Sequence, residues 1–374
     1  MNPGDFPQAG CPAPRPAVQA LPSVAHGALD FSELEQFGLQ PDQVVDFSAN
    51  TNPYGPPPGV RTALAAVVID RYPDRETLGL RRALSAWLNL PAECILPGSG
   101  AAELIQLVGL AYLEPGQHVL VLGPTFGEYA RAARLMGAAV DERRADPQAG
   151  FVLDPAAVEG WLGAAPYRLV FICNPNNPTA QSLPAAQIAA WAAAYPQTLF
   201  VVDEAYLAFT LGRVGSALDY RRPNLLALRS MTKDFALTGL RLGFAAGPPV
   251  LIEALRRVQP PWSVSEPAQA AGLAALAGLA HVSAGLERLH RETRRLQAGL
   301  AGLGWPLTGG ETNFFLLNCG DGRALRAALR RQGLLVRDCA SFGLPEYVRI
   351  AARLPEQNDR LLAALRQISQ EWRR

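Results

Sequence analysis

Short apolar runs alternate with longer amphipathic stretches along most of the chain. The runs at 119–122, 169–173, 199–202, 225–228 and 242–246 have the length and unbroken apolar character of strands buried on both faces, and helical patterns lie between most of them. That alternation predicts a largely parallel sheet covered by helices on both sides, the α/β class. In such sheets ligands sit beyond the carboxyl ends of the strands. Gly98-Ser99-Gly100 precedes a helical pattern over 101–113 and reads as a turn feeding a helix N-terminus, a natural anion seat, although many such turns only reverse the chain. From about Pro248 the pattern shifts to long arginine-rich amphipathic helices such as 286–303, followed by shorter strand candidates at 313–318, 334–337 and 347–351. The expected organisation is an N-terminal arm over 1–45, a large domain over 46–250 and a smaller α+β domain over 251–374.

Composition narrows the class of partner. The 374 residues are 49% hydrophobic and 18% charged, enough for a substantial core and more than one domain. A net charge of +1 supplies no field to draw nucleic acid or an acidic membrane, so the partner should be a small molecule. The first 22 residues are proline-rich without a charged leader or an apolar segment, which predicts a cytoplasmic protein. The apolar stretch 267–286 carries Gln269, His281 and Ser283 and suits a packed helix better than a bilayer span. The five cysteines and four histidines are scattered without ligand spacing, so no zinc site is expected.

Among 34 basic residues Lys233 is the only lysine. A guanidinium stays protonated and cannot form an imine with a carbonyl, whereas a buried lysine amine can. Chance loss of the other lysines is the plain alternative, so its neighbours must decide. Val201-Val202-Asp203-Glu204-Ala205-Tyr206 puts a carboxylate at the end of a buried strand, where it needs a partner, unless Asp203 is an ordinary cap. Ser230-Met231-Thr232-Lys233 and Gly239-Leu240-Arg241-Leu242-Gly243 surround the lysine with hydroxyls and an arginine able to grip a phosphate, or form a surface turn with an incidental arginine.

Together with Asn174-Pro175-Asn176-Asn177-Pro178-Thr179, these blocks resemble, in order and spacing, the signatures of fold-type I aminotransferases, which use pyridoxal phosphate. The resemblance implies a mostly parallel sheet of the seven-stranded type and a smaller C-terminal domain. It also implies that Lys233 holds the cofactor as an imine, that Asp203 pairs with the ring nitrogen, and that Asn177 and Tyr206 hold the ring oxygen. Phe126 would stack on the ring. Gly100, Ala101 and Ala102, through backbone N–H groups, would cup the phosphate with Ser230, Thr232 and Arg241. Tyr72 would reach the phosphate of a neighbouring subunit, so a homodimer with shared sites is implied.

Two subfamilies are similar over nearly the whole chain. The likeness to threonine-phosphate decarboxylases of cobalamin biosynthesis lies in His26-Gly27, in Asp46 to Pro53 and in Val336 to Phe342, and it implies a lyase acting on a small phosphorylated amino acid. The alternative is a histidinol-phosphate-type aminotransferase that passes its amino group to 2-oxoglutarate; Glu311-Thr312-Asn313 fits it. In either case His26, Asn52, Arg337 and Arg349 are the expected substrate ligands. For the arginines a surface ion pair is the plainer role, and for His26 a structural cap. A cofactor-binding sensor without catalysis is the remaining reading.

Overall fold

The computed structural model describes residues 12–22, 27 and 29–372. After a two-residue strand β1 (Val45–Asp46), seven strands build one sheet: β2 (Ile95–Gly98), β3 (His118–Gly123), β4 (Ala139–Arg144), β5 (Tyr167–Cys173), β6 (Leu199–Asp203), β7 (Leu225–Ser230) and β8 (Gly243–Ala246). Their order is β2-β8-β7-β6-β5-β3-β4. β8 runs antiparallel to both neighbours, and the other pairs are parallel.

The five apolar runs are strands because each buries both faces. Val119, Val121, Phe171, Val201 and Leu228 pack on one side with helices Gly100–Tyr112 and Pro249–Val258. Leu120, Val170, Ile172, Phe200 and Val202 pack on the other, against Pro155–Leu162 and Ala185–Ala194. Each such side chain contributes about 1.5–3 kcal/mol on burial, so a polar break in these runs would be expensive. The expected α/β architecture is therefore present. Two strands had no such signal. β2 contains Pro97 and ends in Gly98, and β4 is an edge strand whose Asp141-Glu142-Arg143-Arg144 run is largely open to solvent.

Strands β9 (Leu307–Gly309), β10 (Phe314–Asn318), β11 (Leu334–Leu335), β12 (Arg337–Asp338) and β13 (Tyr347–Ala351) belong to the smaller C-terminal part. A four-stranded antiparallel sheet is ordered β12-β13-β10-β9, while β11 pairs with β1 in parallel. The single strand expected over 334–337 is thus two, divided at Val336. The division brings Arg337 directly opposite Arg349 in the β12–β13 register.

The stretch expected as one packed helix is also two. Glu266–Ala277 and Leu279–Gly302 meet at Gly278 with a bend of 77°. A Cβ on Gly278 would lie 2.5 Å from Pro57, so close packing of that proline requires the glycine. Among the described residues no single helix is long and apolar enough to cross a membrane.

Candidate active site

The carboxyl edge of the large sheet gathers the candidate residues. Gly98, Gly243 and Ser230 stand side by side across β2, β8 and β7, with Asp203 ending β6 and Cys173 beside it at the end of β5. Gly100 opens the helix Gly100–Tyr112 with φ +79°, and a Cβ there would come within 2.8 Å of an Arg241 guanidinium nitrogen. Gly243 must also lack a side chain, because a Cβ would lie 2.7 Å from the Arg229 carbonyl oxygen, and it is close to the Ala101 amide as well. Ala101 and Ala102 follow in the first turn, where amide N–H groups have no intrahelical acceptor. The Ser230 and Thr232 hydroxyls are 2.6 Å apart. Six of the expected residues therefore gather at this edge beside Lys233: Gly100, Ala101, Ala102, Ser230, Thr232 and Arg241.

Lys233 is partly buried, and burial first, then Arg349 and Arg241, lower its amine to about 8. Asp203 acts in the opposite direction on that amine. Asp203 is buried, which raises its carboxyl above the usual range, while a hydrogen bond from Tyr129 and one from the Ala205 amide oppose the shift. Among the described residues no basic side chain lies within ion-pair distance of Asp203. Tyr206 is buried and its hydroxyl is pushed up to about 12.

The Asn174–Thr179 turn divides its labour. Asn174 holds Leu183 through both main-chain groups, and Asn176 donates to Pro124 and Thr179. Asn177 instead turns its carbonyl oxygen to Arg349, which donates to it and, through its other terminal nitrogen, to Ser48. Arg349 is buried, with no carboxylate in ion-pair distance among the described residues. Arg337 donates to Ser341 at 2.7 Å. Phe126, Asn177, Arg337 and Arg349 line a cleft of about 270 Å³, and Arg131 and Arg134 line its α-helical wall.

Two of the expected substrate and phosphate ligands are turned elsewhere. Asn52 is buried, but its amide donates to the Asp234 carbonyl at 3.1 Å and accepts from the Tyr54 amide, while its own N–H binds the Lys233 carbonyl. It braces the lysine-bearing segment rather than facing a ligand. Tyr72 lies on the surface, 76% exposed and stacked on Trp262 at 4.5 Å. His26 lies outside the described residues, although Gly27 lines the cleft.

Other residues were not foreseen. Tyr129 donates to Asp203 at 2.7 Å; its spacing of three from Phe126 at the start of a helix was the available signal. Arg131 and Arg134 repeat the same spacing. Asn50 is buried beside Tyr206, and neither end of its amide makes a hydrogen bond of good geometry to a described residue.

A buried carboxylate, a lysine amine of lowered basicity and a glycine-turn cup at one sheet edge make a site for an imine-forming cofactor that carries a phosphate. The profile of the class I and II aminotransferases matches residues 42–365, and the chain belongs to that family. It is a pyridoxal-phosphate-dependent enzyme with the fold-type I architecture.

A histidinol-phosphate aminotransferase of Symbiobacterium thermophilum is 40% identical over 362 residues, 94% of this chain and 97% of its own. Histidinol-phosphate aminotransferase 2 of Ralstonia nicotianae is 36% identical over 358 residues, 93% and 95% of the two chains. The crystal structure of the Sinorhizobium meliloti histidinol-phosphate aminotransferase in complex with pyridoxal-5'-phosphate superposes with a TM-score of 0.86 at 24% identity, covering 99% of both chains. These relatives overturn the expectation of a threonine-phosphate decarboxylase in cobalamin biosynthesis. The blocks behind that expectation do structural work: Asp46 caps Ser48, Asn52 ties down the lysine segment, and Cys339 is buried beneath the 340–342 turn. Such contacts support many substrates and distinguish none.

Proposed function

We propose that this chain is an aminotransferase of the histidinol-phosphate type, taking the amino group of a small phosphorylated amine and passing it to 2-oxoglutarate. The observation that carries this reading is the direct cross-strand pairing of Arg337 with Arg349. Both line the cleft, and two guanidinium groups at opposed positions suit a ligand anion. Arg134 lines the same cleft, as does Arg131, which is paired with Glu128 at 3.3 Å. A phosphate ester and a dicarboxylate, bound in turn, both satisfy it.

The site's residues fit pyridoxal phosphate. Gly100 is a cradle that a Cβ would fill, and Asp203 is a buried acid awaiting a cationic partner. Asp203 would meet the ring nitrogen, Asn177 and Tyr206 the ring oxygen, and Phe126 the ring face. Backbone N–H groups of Gly100, Ala101 and Ala102, with Ser230, Thr232 and Arg241, would hold the phosphate. When bound, the cofactor supplies an electron sink for the bond broken at the substrate's α-carbon.

Lys233 then moves the α-proton at its Nζ, and an amine lowered to about 8 leaves a useful unprotonated fraction near neutrality. Tyr206 keeps its proton and remains a donor, since its hydroxyl is pushed up to about 12. Arg349 and Arg337 bind the substrate's anionic group; Asn52 serves by holding the lysine segment.

The same reading includes a homodimer. Tyr72, Trp262, Leu78 and Leu273 leave apolar surface exposed, with Tyr72 stacked on Trp262 and Leu273 beside Gly79, the residue after Leu78. A second copy covering this face would let Tyr72 reach the partner's phosphate cup. The deciding experiment is transamination of histidinol phosphate with 2-oxoglutarate, read by product mass. Formation of glutamate and the matching phosphorylated carbonyl compound is expected; turnover of unphosphorylated amino acids with none of histidinol phosphate would overturn the assignment.

A further inference from the structure

Asp203 has two oxygens, and among the described residues each has one donor. Oδ1 accepts from the Ala205 amide at 3.0 Å, and Oδ2 accepts from the Tyr129 hydroxyl at 2.7 Å. Tyr129 is 1% exposed, with its ring stacked on Phe171 at 5.1 Å and set edge-on to Phe126 at 5.7 Å and 82°. One side chain therefore touches both the acid that would face the cofactor ring nitrogen and the aromatic that would cover the ring.

Tyr129 stands in the first turn of the helix that follows the Phe126 loop, while Asp203 ends a strand much later in the chain, so two separate backbone segments are locked together through it. Burial and the adjacent carboxylate hold the Tyr129 hydroxyl well above its ordinary range, which makes it a donor at every working pH. The other titratable groups around Asp203 are Cys173, Glu204 and Lys233. The Cys173 thiol donates to the Pro175 carbonyl at 3.3 Å, and Glu204 turns to Arg229 at 2.7 Å, so neither replaces Tyr129 as a donor to the carboxylate.

We propose that Tyr129 is a positioning residue: its hydroxyl fixes the orientation and ionisation of Asp203, and its ring edge sets the tilt of Phe126. The inference depends on the cofactor and not on the choice of substrate. Without the hydroxyl, the Asp203 carboxylate is harder to ionise and holds the ring-nitrogen proton less firmly. A ring that is less protonated withdraws less electron density from the Lys233 linkage, whose own proton is then lost at higher pH.

Tyr129→Phe should raise the cofactor dissociation constant about tenfold, the scale of one hydrogen bond to a charged group. It should also move the pH midpoint of the bound cofactor's visible absorbance upward by roughly one unit. Turnover falls while KM for both substrates changes little. In an Asp203→Asn background the same substitution should leave the midpoint where it was, because the two residues act through one contact. A folded Tyr129→Phe protein with unchanged midpoint and affinity, or one whose shift persists in the Asp203→Asn background, overturns the proposal. Should Tyr129→Phe not fold, 3-fluorotyrosine at this position, a stronger donor, should move the midpoint downward; no movement overturns it equally.

Discussion

At the scale of single residues, the chemistry turns on how burial changes Lys233. Its amine is lowered to about 8 from 10.5, so the folded chain without cofactor binds fewer protons than the unfolded chain between those values. Stability should therefore rise with pH from about 8 to 10.5 and be diminished below 8. Lys233→Met should flatten that segment of the curve, measured as the difference in urea midpoint between the two cofactor-free proteins across pH. The same substitution should lower turnover by roughly a thousandfold or more, since general-base and nucleophilic roles are lost together. Arg349→Gln is expected to raise KM for the phosphorylated donor by about tenfold or more, as one charge-assisted contact in a cleft is worth that much.

Among elements, the helix Gly100–Tyr112 and the segment after β6 carry the most consequence for the site. Gly100 combines φ +79° with an arginine 2.8 Å from its missing Cβ. Gly100→Ala should cost about 1–3 kcal/mol in backbone strain and displace Arg241, seen as weaker cofactor retention on gel filtration. Glu204 anchors the segment that leaves Asp203. It accepts from Ser216, from the Ala217 amide at 2.6 Å and from Arg229 at 2.7 Å. Glu204→Ala would strand a mostly buried guanidinium and should destabilise the fold by about 3–5 kcal/mol, measurable by chemical denaturation with little change in KM.

At the scale of the whole molecule, the exposed face around Tyr72 makes the assembly state the main expectation. Leu273→Glu together with Tyr72→Ala should shift a dimer toward monomer in light scattering and reduce cofactor retention at the same time. The N-terminal segment is tied to both parts of the chain. Arg15 donates to the Leu135 carbonyl at 3.4 Å, and Glu33 accepts from Arg326 and from Arg330, whose guanidinium also covers the Phe37 ring at 3.5 Å. Pro22 and Gly27, between those anchors, border the cleft.

The α/β class, five strands of the large sheet and the cofactor were determined by the sequence itself. Unbroken apolar runs report burial on both faces, and local spacing around a lone amine reports its chemistry. The tertiary structure alone decided the rest. That Asn177 faces the cleft while Asn52 turns to the backbone depends on which way each loop folds back, which residue type does not encode. The splitting of 334–337, which sets Arg337 against Arg349, follows from pairing with β1 almost 290 positions earlier in the chain. The contact of Tyr129 with Asp203 spans 74 residues, and only the stacking of a helix against the sheet brings that hydroxyl to that carboxylate.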